Sequence, residues 1–347
     1  MPESTDITTT ISSSARAAEA RADTGAVGKS VTSDANAAAT TVAARSRSFA
    51  RGVICALIGG ALWGLSGACS QFLLSNYDIT PLFITCVRMA GSGILLLALL
   101  LATRRDTLRR MVRDRTTVRQ LALFGIGGLF LCQITYVVAI SYTNAGTATV
   151  LQSTATVVIM AVTCAKARKL PSKSEAVGLA CALAAVWLIA TQGNPGAIML
   201  PALGLIWGAA NALSVSFYIM YPRRLFTRWG SLPTTGCGMI IGGIAACALW
   251  AGSSAWQSSL ALPSLDAAGI AVLAVIVLFG TFAAFALYLH GVSIVGPVAG
   301  GLLGTVEPAS ATICSALWLS TVFSAADWAG FALMMAMIVL VAVSKKG

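Results

Sequence analysis

Two ionisable side chains lie inside long apolar stretches of this sequence. Arg88 falls within the apolar stretch 80–102 and Glu307 within 297–319. A charge at the centre of a membrane helix costs about 2.5–3.5 kcal/mol on insertion scales, so each side chain must face a bundle interior or a wet cavity. Two interpretations stay open. The two side chains stabilise the bundle by pairing with each other or with backbone carbonyls, or they bind a proton or a charged group of a substrate.

Glu307 stands directly before Pro308. A proline inside a helix frees a carbonyl in the preceding turn and can kink the helix. A carboxyl group beside such a break predicts a site for a proton or a cationic group. Arg88 lies only eight positions after residue 80, so its side chain is also within reach of the membrane interface.

A second signal is a polar and aromatic face on the stretch 200–221. Trp207, Asn211, Ser214 and Tyr218 are spaced by four, three and four residues, which places them on one side of a helix. The alternative is that serine and threonine only bond carbonyls of their own helix. With similar residues on other stretches, this face predicts a substrate cavity. The candidate substrate-binding residues are Trp63, Tyr136, Gln152, Trp207, Asn211, Tyr218 and Tyr288.

Enzyme chemistry is not expected. Gly64-Leu65-Ser66-Gly67 matches the GxSG motif of rhomboid-type intramembrane proteases, and His290 is the sole histidine. A serine–histidine dyad needs the two side chains in hydrogen-bond reach, and these residues are predicted at different membrane depths. No nucleotide-binding loop appears. The nine cysteines show no CxxC spacing, so we expect no disulfide framework, metal site or cofactor.

Composition places the chain in a membrane. It is 57% hydrophobic and 10% charged, with a mean hydropathy of +0.83, which leaves too little charged surface for a soluble domain. The apolar stretches are continuous and not alternating, so they predict helices and not barrel strands. Ten spans are predicted: 52–74, 80–102, 121–140, 147–166, 175–192, 200–221, 231–251, 268–289, 297–319 and 328–344.

The two halves of the chain resemble each other. Trp63-Gly64 recurs as Trp207-Gly208, and Tyr136 recurs 152 positions later as Tyr288. An ordered series of matches supports duplication of a five-helix unit. Because five is odd, the second copy enters the membrane from the opposite side, as in inverted-repeat transporters. The fold class is therefore an all-α membrane protein with ten transmembrane helices in two inverted five-helix repeats, 52–192 and 200–344.

The loops predict an orientation. Lys and Arg collect in alternate loops, including seven arginines from Arg104 to Arg119, whereas the opposite loops carry Asp78, Asp266 and Asp327. Basic loops face the cytoplasm, so both termini are expected there. Residues 1–48 are rich in Ser, Thr and Ala and predict a disordered cytoplasmic tail. The net charge of +11 indicates contact with anionic lipids and not with nucleic acid.

The chain resembles the drug/metabolite transporter superfamily, in its EamA-type branch. The resemblance rests on Ala61–Gly64 (ALWG), on Pro81 with Arg88, and on the segments ITYVVAISYTNAG, LYLHGVSIVGP and TVEPASA. The sequence departs from the family pattern at Thr156, where a proline is frequent, and in AKARKLPS and WLSTVFSA, which lack glutamate. The resemblance implies an inner-membrane secondary carrier.

From these observations we expect export of small polar metabolites, amino acids first, by alternating access around a central cavity. Export rather than import is what the resemblance implies. Glu307 is the expected coupling or substrate-binding group, with a proton as candidate coupling ion. An exporter of multiple drugs or lipophilic cations is the alternative transport function. A non-transporting receptor or scaffold is the alternative of another class. The oligomeric state stays open.

Overall fold

The computed structural model describes residues 47–168, 170–194, 196–256, 263–296, 300 and 303–344. Every element that it assigns in this part of the chain is helical. The predicted tail covers residues 1–48, of which residues 1–46 lie outside the described part. The helices are α1 Arg47–Asn76, α2 Pro81–Thr103, α3 Arg105–Arg113, α4 Arg115–Tyr142, α5 Ala145–Ala167, α6 Lys173–Thr191, α7 Ala202–Trp229, α8 Ser231–Trp256, α9 Ala267–Val295, α10 Val306–Trp318 and α11 Ala325–Ser344.

Eight of these helices are long and apolar enough to cross a membrane: α1, α2 and α4 to α9. The segment Ala325–Leu340 of α11 is also apolar but is shorter than these eight helices. Large apolar side chains such as Ile94 and Leu183 are 63% exposed, as lipid-facing residues are. The prediction of an all-α membrane protein is confirmed with at least eight spans in the described residues. The count of ten and the inverted insertion of the halves stay predictions.

Local sequence explains where the helices begin. The Thr80 hydroxyl accepts a hydrogen bond from the Phe83 amide, directly before Pro81 in the first position of α2. Ser172 and Glu175 form a capping box at α6. The Asp266 carboxylate accepts from the Gly269 amide at the start of α9. Each cap satisfies amides that a helix start leaves without a partner.

Two helices contain π-helical segments at equivalent places in the two halves. In α4 the segment is Phe124–Phe130, and in α9 it is Leu278–Ala283. Their first residues are 154 positions apart, close to the repeat offset of 152. Such bulges are rare and are frequent at functional sites. They were not predicted, because the apolar pattern of a π segment does not differ from that of an α-helix.

Two further helices are interrupted. In α5 the α-helical pattern breaks at Thr154, where the Thr154 amide bonds the Leu151 carbonyl at 3.1 Å. Before α10 the chain turns at 304–305, and the Glu307 amide bonds the Gly304 carbonyl at 3.1 Å. Both contacts span three residues in place of four, so both breaks are short 3₁₀-type turns.

Helices from the two halves pack against each other. The main pairs are α2 with α8, α6 with α11 and α4 with α7. Glycines allow the close approaches: a Cβ added at Gly242 on α8 would lie 2.5 Å from the Gly125 carbonyl oxygen of α4. In lipid, such contact between backbones supplies the dispersion energy that holds helices together.

Two expectations need correction. The cysteines were expected to be packing residues without a disulfide framework, but Cys86 on α2 and Cys247 on α8 are bonded, with Cα atoms 5.1 Å apart. The two cysteines are 161 positions apart, and no spacing motif signals such a pair. The basic segment after α2 is also not a simple loop, because it forms the helix α3 with Met111 buried against the bundle.

Candidate functional site

One hydrogen bond joins the two helix breaks. Gln152 Nε2 donates to Glu307 Oε1 at 2.9 Å. Gln152 lies two residues before the break at Thr154, and Glu307 is the second residue of α10. Both side chains are partly accessible. The amino end of α10 carries partial positive charge, which stabilises a carboxylate in its first turn.

A tryptophan–glycine pair lies against each break. A Cβ added at Gly64 would be 2.0 Å from Ser310 Oγ and 2.5 Å from the carbonyl oxygen of Glu307. A Cβ added at Gly208 would be 2.6 Å from Leu151 Cδ1, next to Gln152. Helix α1 of the first half therefore packs on α10 of the second, and α7 of the second half packs on α5 of the first.

Equivalent tyrosines bond the segments that precede the breaks. The Tyr136 hydroxyl is 2.8 Å from Thr149 Oγ1, and Thr149 itself donates to the Ala145 carbonyl, so Tyr136 is the donor. The Tyr288 hydroxyl donates to the Gly300 carbonyl at 3.0 Å. In each half a tyrosine, on α4 or on α9, thus binds the chain a few residues before the break.

The predicted aromatic residues fall into two groups. The Trp63 ring contacts Tyr288 and Phe285 with centroids 4.7 and 4.9 Å apart. Tyr218 belongs to the same apolar cluster and stacks on Phe124. Trp207 packs on a second cluster, which contains Tyr136. Trp63, Trp207, Tyr218 and Tyr288 are partly accessible, whereas Tyr136 is buried.

Asn211 is fully buried and bonds α7 to α4. Its Nδ2 donates to the Cys132 carbonyl at 2.8 Å and to Thr135 Oγ1 at 3.0 Å. Its Oδ1 has no hydrogen-bond partner. In this conformation Asn211 therefore fixes the packing of two helices beside the site.

Arg88 does not form an ion pair with Glu307. Its Nε donates to Thr281 Oγ1 and its Nη2 to Ser66 Oγ, both at 3.3 Å. In the described part of the chain the one ion pair joins Arg228 to Asp114. The interpretation in which the two intramembrane charges neutralise each other directly does not hold for this conformation.

The serine–histidine dyad is not assembled. Ser66 packs against Gly280, where an added Cβ would be 2.6 Å from Ser66 Oγ. His290 is exposed and lies ten residues further along α9, about 15 Å at the helical rise. The described residues also contain no group of three or more His, Cys, Asp or Glu side chains placed to hold a metal ion.

Sequence reasoning missed Gln71. Its Nε2 donates to Thr321 Oγ1 at 3.0 Å, and its Oε1 accepts from the Ala145 amide at 2.8 Å and from Ser315 Oγ at 3.1 Å. One side chain thus ties α1 to the start of α5 and the end of α10. An amide inside the apolar stretch 52–74 was the available signal. A cavity of about 360 Å³ adjoins it, lined in part by Phe72 and Trp318.

Side chains link the two halves at both ends of the bundle. At the acidic end, which carries Asp78 and Asp266, the Tyr77 hydroxyl donates to Asp266 Oδ1 at 2.5 Å. This bond, followed by that from the Gly269 amide, lowers the pKa of Asp266, and the same contact raises the pKa of Tyr77.

At the basic end, which carries α3, Asp114 bonds the hydroxyl of Thr117 and pairs with Arg228. The Thr117 bond is the largest cause that lowers the pKa of Asp114. Both side chains of the ion pair are partly exposed, so salt screens their attraction. The two ends are thus held by different chemistry, a tyrosine–carboxylate contact and a guanidinium–carboxylate pair.

Duplicated halves, interrupted helices that meet in the interior and an apolar exterior define a polytopic transport protein. The sequence model of the EamA-like transporter family matches residues 50–191 and again 202–343. The chain therefore belongs to the EamA-like transporter family, within the drug/metabolite transporter superfamily. It is a membrane transporter and not an enzyme.

Two relatives are similar along most of the chain. The uncharacterized inner membrane transporter YicL of Salmonella typhimurium is 28% identical over 298 residues, which cover 85% of this chain and 96% of the relative. A solved crystal structure superimposes with a TM-score of 0.57 at 17% identity, over 86% of this chain and 96% of that one. The second likeness concerns the fold alone.

Proposed function

We propose that the chain is a secondary carrier that exports small polar metabolites, amino acids and related compounds first, by alternating access. The hydrogen bond between Gln152 and Glu307 is the observation that carries this proposal. This bond joins a carboxylate and an amide next to two helix breaks, between the two halves. Inverted-repeat carriers bind their substrates at such an interface, which supports the proposal. The rings of Trp63, Trp207, Tyr218 and Tyr288, which are partly accessible, are the proposed source of apolar contact area for the substrate.

In this mechanism the two five-helix repeats, 52–192 and 200–344, rock around the site. The tie of Gln71 to α5 and α10 closes the acidic end in one state and is released in the other. The ion pair of Asp114 with Arg228 acts in the same way at the basic end. Glu307 is the group that binds either a coupling proton or a cationic part of the substrate.

The proposed location is the inner membrane, in line with the name of YicL. The basic end faces the cytoplasm, because Lys and Arg collect in cytoplasmic loops. The four arginines of α3, Arg105, Arg109, Arg110 and Arg113, contact anionic headgroups there. In this orientation both termini, including the tail 1–48, are cytoplasmic.

Counterflow in proteoliposomes tests the proposal. Vesicles loaded with an unlabelled compound are diluted into its labelled form, using amino acids, nucleosides and lipophilic cations in turn. We expect accumulation of an amino acid by the wild type and its loss in Trp207→Ala. Trp187→Ala is the matched control, because Trp187 is 47% exposed on α6. Accumulation of the cations alone would support the multidrug alternative, and no accumulation by folded protein would contradict carrier function for these classes.

A further inference from the structure

Arg88 is a buried cation without an anionic partner. The residue is 3% exposed, and its polar contacts are the neutral hydroxyls of Ser66 and Thr281. Its Nη1 has no hydrogen-bond partner. A buried guanidinium is normally paired with a carboxylate or phosphate, because its desolvation is otherwise uncompensated. The unused donor therefore needs an explanation.

Three helices meet at this guanidinium. Arg88 is on α2, Ser66 on α1 and Thr281 in the π-helical segment of α9. Ser66 follows Gly64 by two residues, and Gly64 packs on Glu307. The guanidinium also interacts electrostatically with Glu307, although the two do not touch. Arg88 is thus the positive pole of the region whose negative pole is Glu307.

We propose that Arg88 binds the carboxylate of the transported molecule, while Glu307 faces its ammonium group. This inference rests on the proposed function and narrows its substrate to zwitterions such as free α-amino acids. A guanidinium offers five donors in a planar fork that matches a carboxylate. The carboxylate takes the unused Nη1, and the site then holds two opposite charge pairs with no net charge. A lipophilic cation would bring a second positive charge toward Arg88, so the arrangement disfavours that class.

Because Arg88 is covered in this conformation, the carboxylate reaches it as α1 and α9 separate. Ligand binding and rocking of the repeats are then one event, since the ligand stabilises the state in which Arg88 is uncovered. A substrate without a carboxylate lacks this differential contact, and both its binding and its transport fall.

Thermal unfolding of the purified full chain in detergent tests this assignment without a transport assay. The probes are each standard L-amino acid, its methyl ester and its decarboxylated amine. A ligand that binds the folded state alone raises the unfolding temperature. For the wild type we expect at least one amino acid to bind about tenfold to a hundredfold more tightly than its ester and amine, the range for a lost hydrogen-bonded charge.

Variants separate binding from structure. Arg88→Gln should abolish the preference for the free carboxylate, and Arg88→Lys, which keeps the charge, should retain part of it even if Arg88→Gln does not fold. Arg110→Gln is the matched control, since Arg110 is exposed on α3. A preference that survives in Arg88→Gln, or esters that match acids in the wild type, would overturn the assignment. If no amino acid, ester or amine binds the folded wild type, both the role of Arg88 and the proposed function are contradicted. If the protein catalyses amino-acid counterflow but esters inhibit it as strongly as free amino acids do, only the role of Arg88 is contradicted.

Discussion

Gln152 Nε2 and Glu307 Oε1 lie 2.9 Å apart and connect the interrupted helix of the first half to that of the second. The contact joins near-equivalent positions of the duplicated unit, because the breaks at Thr154 and Thr305 are 151 residues apart. A cationic group of a ligand that binds the Glu307 carboxylate competes with the Gln152 amide for its oxygens. The same bond therefore couples the occupancy of the site to the relative position of α5 and α10.

The close approach of α1 to α10 should depend on Gly64. In Gly64→Ala the new methyl group would meet Ser310 Oγ at 2.0 Å and the Glu307 carbonyl at 2.5 Å. Backbone atoms cannot move aside as a flexible side chain does, so the helices must separate. We expect a loss of about 1–3 kcal/mol in unfolding free energy, as for other overpacked sites, together with loss of counterflow.

Gly60→Ala provides the control one turn earlier on the same helix. The nearest atom to its added Cβ is the Leu303 carbonyl oxygen at 3.6 Å, an ordinary contact distance. The unfolding temperature and counterflow of Gly60→Ala should match those of the wild type. Equal effects of the two substitutions would show that Gly64 has no special place at the site.

Asn211 should stabilise the packing of α7 on α4. Asn211→Ala removes the donor to the Cys132 carbonyl and to Thr135 in a fully buried position. The expected cost is about 1–3 kcal/mol of unfolding free energy, measured by thermal unfolding in detergent. Ser214→Ala, on the same helix, removes only a hydrogen bond to the Ala210 carbonyl within α7 and should have little effect. If both variants unfold like the wild type, the packing role of Asn211 is wrong.

The contact of Tyr77 with Asp266 should make stability depend on pH. The folded pKa of Asp266 is lowered, first by the Tyr77 hydroxyl, so its contribution is present above the unfolded pKa of about 3.9. This contribution is lost as the pH falls through the lower folded pKa. Tyr77→Phe should therefore lower the unfolding temperature at neutral pH, and the difference from the wild type should shrink in acid.

Tyr142→Phe is a suitable comparison for that experiment, because Tyr142 lies at the end of α4 and is 39% exposed. A difference between Tyr77→Phe and the wild type that stays constant down to acidic pH would show that the hydroxyl acts through something other than the ionised carboxylate.

The bundle could be predicted from the sequence because lipid imposes a simple pattern. Spans such as 80–102 are recognised by continuous apolar residues, and the helix found is Pro81–Thr103. The repeat could also be recognised, since Trp63-Gly64 and Trp207-Gly208 keep their identity in both copies. Both signals are local in the sequence, and each can be recognised without knowing which helices are in contact.

Pairwise contacts in the interior could not be predicted in this way. Gln152 and Glu307 were each recognised as polar residues in apolar stretches, but their 155-residue separation gave no sign that they meet. The partners of Arg88 and the three bonds of Gln71 depend on helix rotation about its axis, which an apolar pattern leaves undetermined. The π-helical segments could not be predicted for a related reason: one inserted residue changes which side chains face a neighbouring helix without changing the composition.

The measurement that tests the account most directly compares gradient-driven transport with exchange in Glu307→Gln. The glutamine keeps an oxygen that accepts the hydrogen bond from Gln152, so the contact between α5 and α10 is preserved while the ionisable group is lost. Glu175→Gln is the control, because glutamine also serves at that place in a capping box. With Glu307 as the coupling group, we predict that Glu307→Gln abolishes accumulation driven by a pH gradient but retains exchange of substrate. Unchanged gradient-driven accumulation in Glu307→Gln, or equal loss of both activities with an unstable protein, would contradict this role.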